Sequence, residues 1–161
     1  MTAAVLSIGS NLGDRLAHLQ GAVDVLRPWL RAVSPVYETA PWGPVEQDDY
    51  LNAVLIAADP TARPSDWLRR AQEAEAHAGR RRDVRWGPRT LDVDVIVVDD
   101  VVSCDGDLTL PHPRAAARAF VLVPWLTVDP SATLGGRRLH DWLDQLPADD
   151  VAGVRLVEGE L

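Results

Sequence analysis

The 161-residue chain has no lysine: all 16 of its Lys and Arg positions are arginine. That excludes a P-loop, whose lysine reaches the nucleotide phosphates, and any Schiff base on a lysine amine. Cys104 is the only cysteine. Neither a disulfide framework nor a cysteine zinc cluster can form within one chain, and a reducing compartment is the simplest home. No apolar run reaches the roughly 18 residues of a membrane span. The opening MTAAVLSIGSN has no basic segment and only a short apolar run, so it lacks the form of a signal peptide. A cytoplasmic protein is expected. Aromatics make up 6% of the chain, with one Phe and two Tyr, which leaves little for a base-stacking RNA surface. A formal net charge of −8 argues further against nucleic acid or an anionic membrane as a partner.

The positive charge that is present is concentrated. Arg80, Arg81, Arg82, Arg85 and Arg89 fall in residues 80–89, with only Asp83 opposing them. A cationic segment in an acidic protein usually meets a local anion; a solvated loop is the alternative.

The length suggests one domain over residues 1–161. Residues 3–8 predict a strand, cut off at Gly9-Ser10-Asn11. Leu16, Leu19, Val23, Leu26 and Leu30 recur at helical spacing, with Asp14 as the cap and Pro28 as the stop. Residues 31–38 predict a second strand, bulged or at an edge because of Pro35. A Pro/Gly-rich loop, 39–49, leads to a third strand, 50–58. Residues 65–78 predict a helix, with Ser65 as N-cap and Gly79 beyond its end. After the arginines comes a strand through Asp92 and Asp94, then a returning strand from Val101. Residues 107–113 are extended, 114–125 predict a helix interrupted by Pro124, and a short helix at 139–146 and a strand at 153–157 finish the chain. The order β-α-β-β-α-β suits an α+β, ferredoxin-like sandwich: a mainly antiparallel sheet with helices packed on one face.

RWGPRTLDVDVIVVDD, 85–100, raises the sharpest question. Its second half is a strand, so Asp92 and Asp94 share one face, where like charges repel. A divalent cation would relieve them. Magnesium takes one or two carboxylates and fills its shell with water and phosphate oxygens. Arginines beside such a site can hold phosphates through bidentate contacts, and metal plus arginine is a recipe for phosphoryl transfer. The plainer reading is an edge strand whose acidic face meets water or arginine. Pro111-His112-Pro113 frames one histidine rigidly, aimed at a phosphate or simply bonded in a turn. Tyr50, Trp42, Trp86 and Phe120 could stack on a flat heterocycle, although core packing is the ordinary use of each. Asn52, two after Tyr50, shares its face and can read a ring edge as donor and acceptor. His18, His77 and His140 fall on predicted helices and suggest only packing or surface roles.

Taken together, IGSNLGDR, YETAPWGPVEQDDYLN, AQEAEAHAGRRR, RWGPRTLDVDV and LPHPRAAARAFVLVPW occur in an order that resembles the 6-hydroxymethyl-7,8-dihydropterin pyrophosphokinases of folate biosynthesis along nearly the whole chain. The resemblance implies transfer of pyrophosphate from ATP to the pterin hydroxymethyl group, with AMP leaving. Two magnesium ions would be held by Asp92 and Asp94, and Arg80, Arg82 and Arg89 would join the aspartates in catalysis. The ATP side would comprise Gln72, Glu75, Arg82, Trp86, Arg89, the Val95 backbone, His112 and Arg118. The pterin side would comprise Thr39, Trp42, Tyr50, Asn52, Trp86 and Phe120, with Tyr50 and Phe120 sandwiching the ring. ATP and the pterin are the implied partners of a monomer, with neither nucleic acid nor membrane involved. Trp42 is bulkier than the aliphatic residue of some members, Pro113 stands where some carry tyrosine, and the Arg82–Trp86 loop is a residue shorter than in one well-known member. Two other readings remain: a different magnesium-dependent Asp-x-Asp transferase using nucleotides, and a ferredoxin-like RNA-binding module.

Overall fold

The computed structural model describes residues 2–41, 43–79 and 90–161. In chain order the elements are β1 (Thr2–Ser10), α1 (Arg15–Leu26), β2 (Leu30–Val33), β3 (Tyr37–Thr39), β4 (Tyr50–Asp59), α2 (Pro64–His77) and β5 (Asp92–Val98). There follow β6 (Ser103–Cys104), β7 (Thr109–Leu110), α3 (Ala119–Val128), β8 (Thr133–Leu134), β9 (Arg137–Arg138), α4 (Leu139–Asp144), α5 (Ala148–Ala152) and β10 (Arg155–Leu156). One six-stranded sheet runs β10-β3-β4-β1-β5, with β2 also paired to β4. Every pairing in it is antiparallel. The ten-residue β4 is its spine, bonded to β1 on one side and to β2 and β3 on the other.

The α+β, ferredoxin-like expectation holds, with one correction: helices cover both faces. On one face Leu6, Ile8, Leu55 and Val95 pack against Leu19, Val23 and Leu26 of α1 and Trp67 and Ala71 of α2. On the other, Val5, Val54 and Ile96 pack against Val121, Leu122 and Trp125 of α3. β1 and β4 are apolar at successive positions rather than alternate ones, which is the pattern of strands covered twice.

Local chemistry sets most element boundaries. Asp14 caps α1 as expected, its carboxylate accepting from the Ala17 N–H at 3.1 Å. α1 stops at Leu26, and Arg27–Trp29, containing Pro28, forms a 3-10 turn. α2 starts a residue before Ser65, with Arg63 at the N-cap; Pro64 occupies the first helical position and Asp66 reaches back to the Arg63 N–H at 2.8 Å. Gly79 follows the helix with φ +70°. The strand expected at 31–38 is two, β2 and β3, broken around Pro35, where Ser34 bonds Val54 through both its backbone N–H and its hydroxyl. Val101 and Val102 form no strand; the return comes later, as the separate β6–β7 hairpin. Pro124 does not end α3, which runs on to Val128. Burial of Val121, Leu122 and Trp125 outweighs the one helical bond that proline cannot donate.

Candidate active site

The aspartate pair is displayed by the way β5 meets β1. Gly9 pairs with Asp92 and Ser7 with Asp94; then Leu6 pairs with Val95 but Val5 with Val97. Ile96 is the extra residue of a β-bulge. Val93 and Val95 therefore enter the core under α1 and α2, while Ile96 joins the core under α3. The Ile96 carbonyl accepts the His112 N–H at 2.8 Å, which brings the Pro-His-Pro frame against β5. Asp92 and Asp94 are half-buried on the opposite face from the two valines.

Both carboxylates line a cavity of about 420 Å³. Ser7 and Gly9 form part of its floor on β1, and Thr39, Tyr50 and Asn52 reach it from β3 and β4. Arg114, Arg118 and Phe120 approach from the segment that leads into α3. Gly9 is needed here for space. A Cβ on it would lie 2.9 Å from Asn52 Oδ1 and 3.4 Å from Tyr50 Cδ1. Asn52 is 3% exposed, and its amide donates to Thr39 Oγ1 at 2.6 Å. One end of the cavity is thus acidic with arginines close by, and the other offers an amide, a hydroxyl and two aromatic rings.

The charges at the acidic end are interlocked. Arg118 lies 3.6 Å from Asp94 Oδ2, and its guanidinium stands 5.5 Å from the centre of the Phe120 ring, spanning the two ends. His112 has its pKa lowered to about 4, by burial first and then by Arg118 and Arg114, against the opposing pull of Asp92. Its Nδ1 accepts the Arg114 N–H at 3.2 Å. The neutral ring therefore carries its proton on Nε2 and offers it as a donor. Two half-buried carboxylates on one face, beside an open volume, suit magnesium, which needs few protein ligands when phosphate oxygens complete its shell.

Of the residues nominated from sequence, the cavity brings together Thr39, Tyr50, Asn52, Asp92, Asp94, Arg118 and Phe120. Trp42, Arg80, Arg82, Trp86 and Arg89 lie outside the described residues. Four others do not line it. Gln72 is exposed on α2. Glu75, nominated for ATP contact, is 7% exposed and accepts the Val93 N–H at 3.1 Å, so its carboxylate helps to hold the strand between the two aspartates. The Val95 side chain is in the core, leaving only its backbone for a nucleotide. His112 stands beside the cavity, close enough to feel Asp92. Sequence reasoning missed Ser7, Gly9 and Arg114. Gly9 and Arg114 sit inside stretches already singled out, IGSNLGDR and LPHPRAAARAF, so the signal was present but unassigned.

The solved wild-type Plasmodium falciparum HPPK-DHPS with pteroate superposes with a TM-score of 0.68 at 10% identity, over 89% of this chain and 44% of that one. At that identity the likeness speaks for the fold alone, and this chain spans less than half of the protein it matches. The 2-amino-4-hydroxy-6-hydroxymethyldihydropteridine pyrophosphokinase of Mycobacterium tuberculosis (strain ATCC 25618 / H37Rv) is 57% identical over 143 residues, covering 83% of this chain and 76% of that protein. The Mycobacterium leprae (strain TN) protein of the same name is 55% identical over 170 residues, covering 97% and 89%. The family model described as 7,8-dihydro-6-hydroxymethylpterin-pyrophosphokinase matches residues 5–130, a span that contains every cavity-lining residue named above, and the chain belongs to that family.

Proposed function

We propose that this protein, as one domain over residues 1–161, transfers pyrophosphate from ATP to the hydroxymethyl group of 6-hydroxymethyl-7,8-dihydropterin in folate biosynthesis, releasing AMP. The observation that carries this reading is the two-ended cavity: a carboxylate pair at one end and a buried amide with two rings at the other, in a member of that family.

Asp92 and Asp94 would hold two magnesium ions. Such ions neutralise phosphate oxygens and polarise the attacking hydroxyl. The protein's own contributions are distributed around the cavity. Asn52, fixed by Thr39, reads the polar edge of the pterin, while Tyr50 and Phe120 provide aromatic surface. Arg118 is close enough to Asp94 to share a phosphate oxygen with whatever Asp94 holds. His112 donates from Nε2 without adding charge. Arg80, Arg82 and Arg89 would bring further guanidinium groups to the phosphates, and Trp42 and Trp86 further aromatic surface to the substrates. Gln72, Glu75 and the Val95 backbone are the remaining ATP-side assignments, with Glu75 acting through its hold on Val93.

The hydroxyl oxygen attacks the β-phosphorus and its proton is released to solvent, while the bond from that phosphorus to the α,β-bridging oxygen breaks and that oxygen leaves with AMP. A monomer acting on these two small molecules is part of this reading, and the free, exposed Cys104 suits a cytoplasmic setting. The deciding experiment supplies ATP, magnesium and the pterin and identifies the nucleotide formed. Pterin-dependent AMP, abolished by a chelator, is expected; ADP would instead favour a different Asp-x-Asp transferase.

A further inference from the structure

Thr39 and Tyr50 pair across β3 and β4 at the wall of the cavity. The residue before each is acidic: Glu38 and Asp49. Two arginines from opposite ends of the chain grip both. Arg15, at the start of α1, donates to Glu38 Oε2 at 2.7 Å and to the Asp49 carbonyl at 2.9 Å. Arg155, on β10, lies 3.1 Å from Asp49 Oδ2 and 3.5 Å from Glu38 Oε1.

β10 is itself bonded to the edge of β3, with Arg155 opposite Glu38 and Leu156 opposite Tyr37. The Val157 N–H continues the contact to the Val36 carbonyl at 3.0 Å. Just before β10, Asp149 and Asp150 of α5 line a second cavity of about 350 Å³ that shares Thr39, Ala40 and Phe120 with the first. The C-terminal segment thus forms an outer rim around the pterin end, although it lies beyond the residues 5–130 that the family model matches.

We propose that Arg155 is a positioning residue for the pterin pocket. It touches neither cavity. Its double contact fixes Glu38 relative to Asp49, and so fixes the spacing of Thr39 and Tyr50, and with Thr39 the amide of Asn52. Arg15 makes the same link from the other side, and Asn11 extends it by donating to Gln47 Oε1 at 2.7 Å and to the Asp48 carbonyl at 2.9 Å. The Arg155 side chain is 55% exposed. Exposed ion pairs contribute little to global stability, so its removal acts on the local wall and leaves the fold standing.

The inference rests on the pterin reading of the cavity. Its test is steady-state AMP formation by the full chain carrying R155A or R155K, with each substrate varied in turn, alongside thermal unfolding. For R155A we expect the KM for the pterin to rise about three- to tenfold, the scale of losing one to two such contacts. The KM for ATP and kcat should stay within about twofold, and Tm within about 2 °C. R155K, which keeps the charge, should recover most of the pterin KM. An unchanged pterin KM in R155A, an equal rise for both substrates, or an R155K variant no better than R155A would each overturn the proposal. Absence of pterin-dependent AMP from the unsubstituted protein would sink the functional reading instead.

Discussion

Gly9→Ala adds one methyl group at the floor of the cavity, and the structure says what that methyl meets. It would stand 2.9 Å from Asn52 Oδ1, 3.4 Å from Tyr50 Cδ1 and 3.6 Å from the Leu51 carbonyl oxygen. The first distance is too short for carbon against oxygen, so the Asn52 amide must move. It has little freedom, being 3% exposed and bonded to Thr39 at 2.6 Å. Disturbing a buried hydrogen bond costs about 1–3 kcal/mol. If that cost falls on the pterin-bound state, the KM for the pterin rises about five- to 150-fold. Stability moves differently. Gly9 is not among the residues with positive φ, so alanine accepts its backbone, and Gly→Ala at such a position gains about 0.4–1 kcal/mol from the unfolded state. That gain offsets part of the clash. The signature is a large loss in pterin KM, an ATP KM within about twofold (under half a kcal/mol), and a Tm that hardly falls. Substrate titrations of AMP formation and a thermal melt on the same preparation measure all three. An unchanged pterin KM in a folded variant would refute the assignment of Asn52 to the pterin.

Three further outcomes are expected. Asp94→Asn should cut turnover by about a hundredfold or more, the scale of removing a metal ligand's share of charge stabilisation, while cooperative urea unfolding persists; loss of both together would make Asp94 structural. Asp59 is held below its ordinary carboxylate range by the Thr61 N–H, then by Arg70 and the Thr61 hydroxyl; its contribution to stability is therefore complete above the unfolded value near 3.8 and fades as pH falls through the lower folded value. Asp59→Asn should flatten the acid limb of Tm against pH, and an identical limb would mean that other carboxylates control it. Trp67 is fully buried between α2 and the sheet, so Trp67→Ala should cost about 3–5 kcal/mol in urea denaturation, and a loss below 1 kcal/mol would contradict the packing described.

The acidic end of the cavity could be read from sequence because its residues are local. Asp92 and Asp94 sit on one short strand, and period-two alternation alone puts them on one face. The other end required the fold. Thr39 and Asn52 were nominated, but their 2.6 Å bond depends on the β3–β4 register. Gly9 looked like the end of a strand, whereas it is an interior residue of β1, kept small by side chains from β4. Arg114 lay inside a stretch already singled out, but its place at the cavity shows only once the Pro-His-Pro frame is seen against Ile96.

The errors in the fold have a common physical cause. Proline was read as a stop at Pro28, as an edge or bulge at Pro35 and as an interruption at Pro124; it does lie in the turn that ends α1, but at Pro35 it divides two strands on the same partner, and at Pro124 it is tolerated inside a helix. Local propensity sets the cost of each; burial around each decides the outcome. The same competition explains β5. Simple alternation along DVDVIVV would carry Asp92, Asp94, Ile96 and Val98 all to one face. The bulge at Ile96 returns Val98 to the core under α1 and α2 and exposes the Ile96 carbonyl to His112. One inserted residue thus lets a single strand be acidic toward the cavity at its start and doubly buried at its end. A Val97 deletion that removed the bulge should therefore be tolerated: Asp92 and Asp94 would stay opposite Gly9 and Ser7, and Val98, now directly after Ile96, would stay opposite Ala4 on the face of Val93 and Val95, so loss of cooperative urea unfolding in that variant would refute the register described.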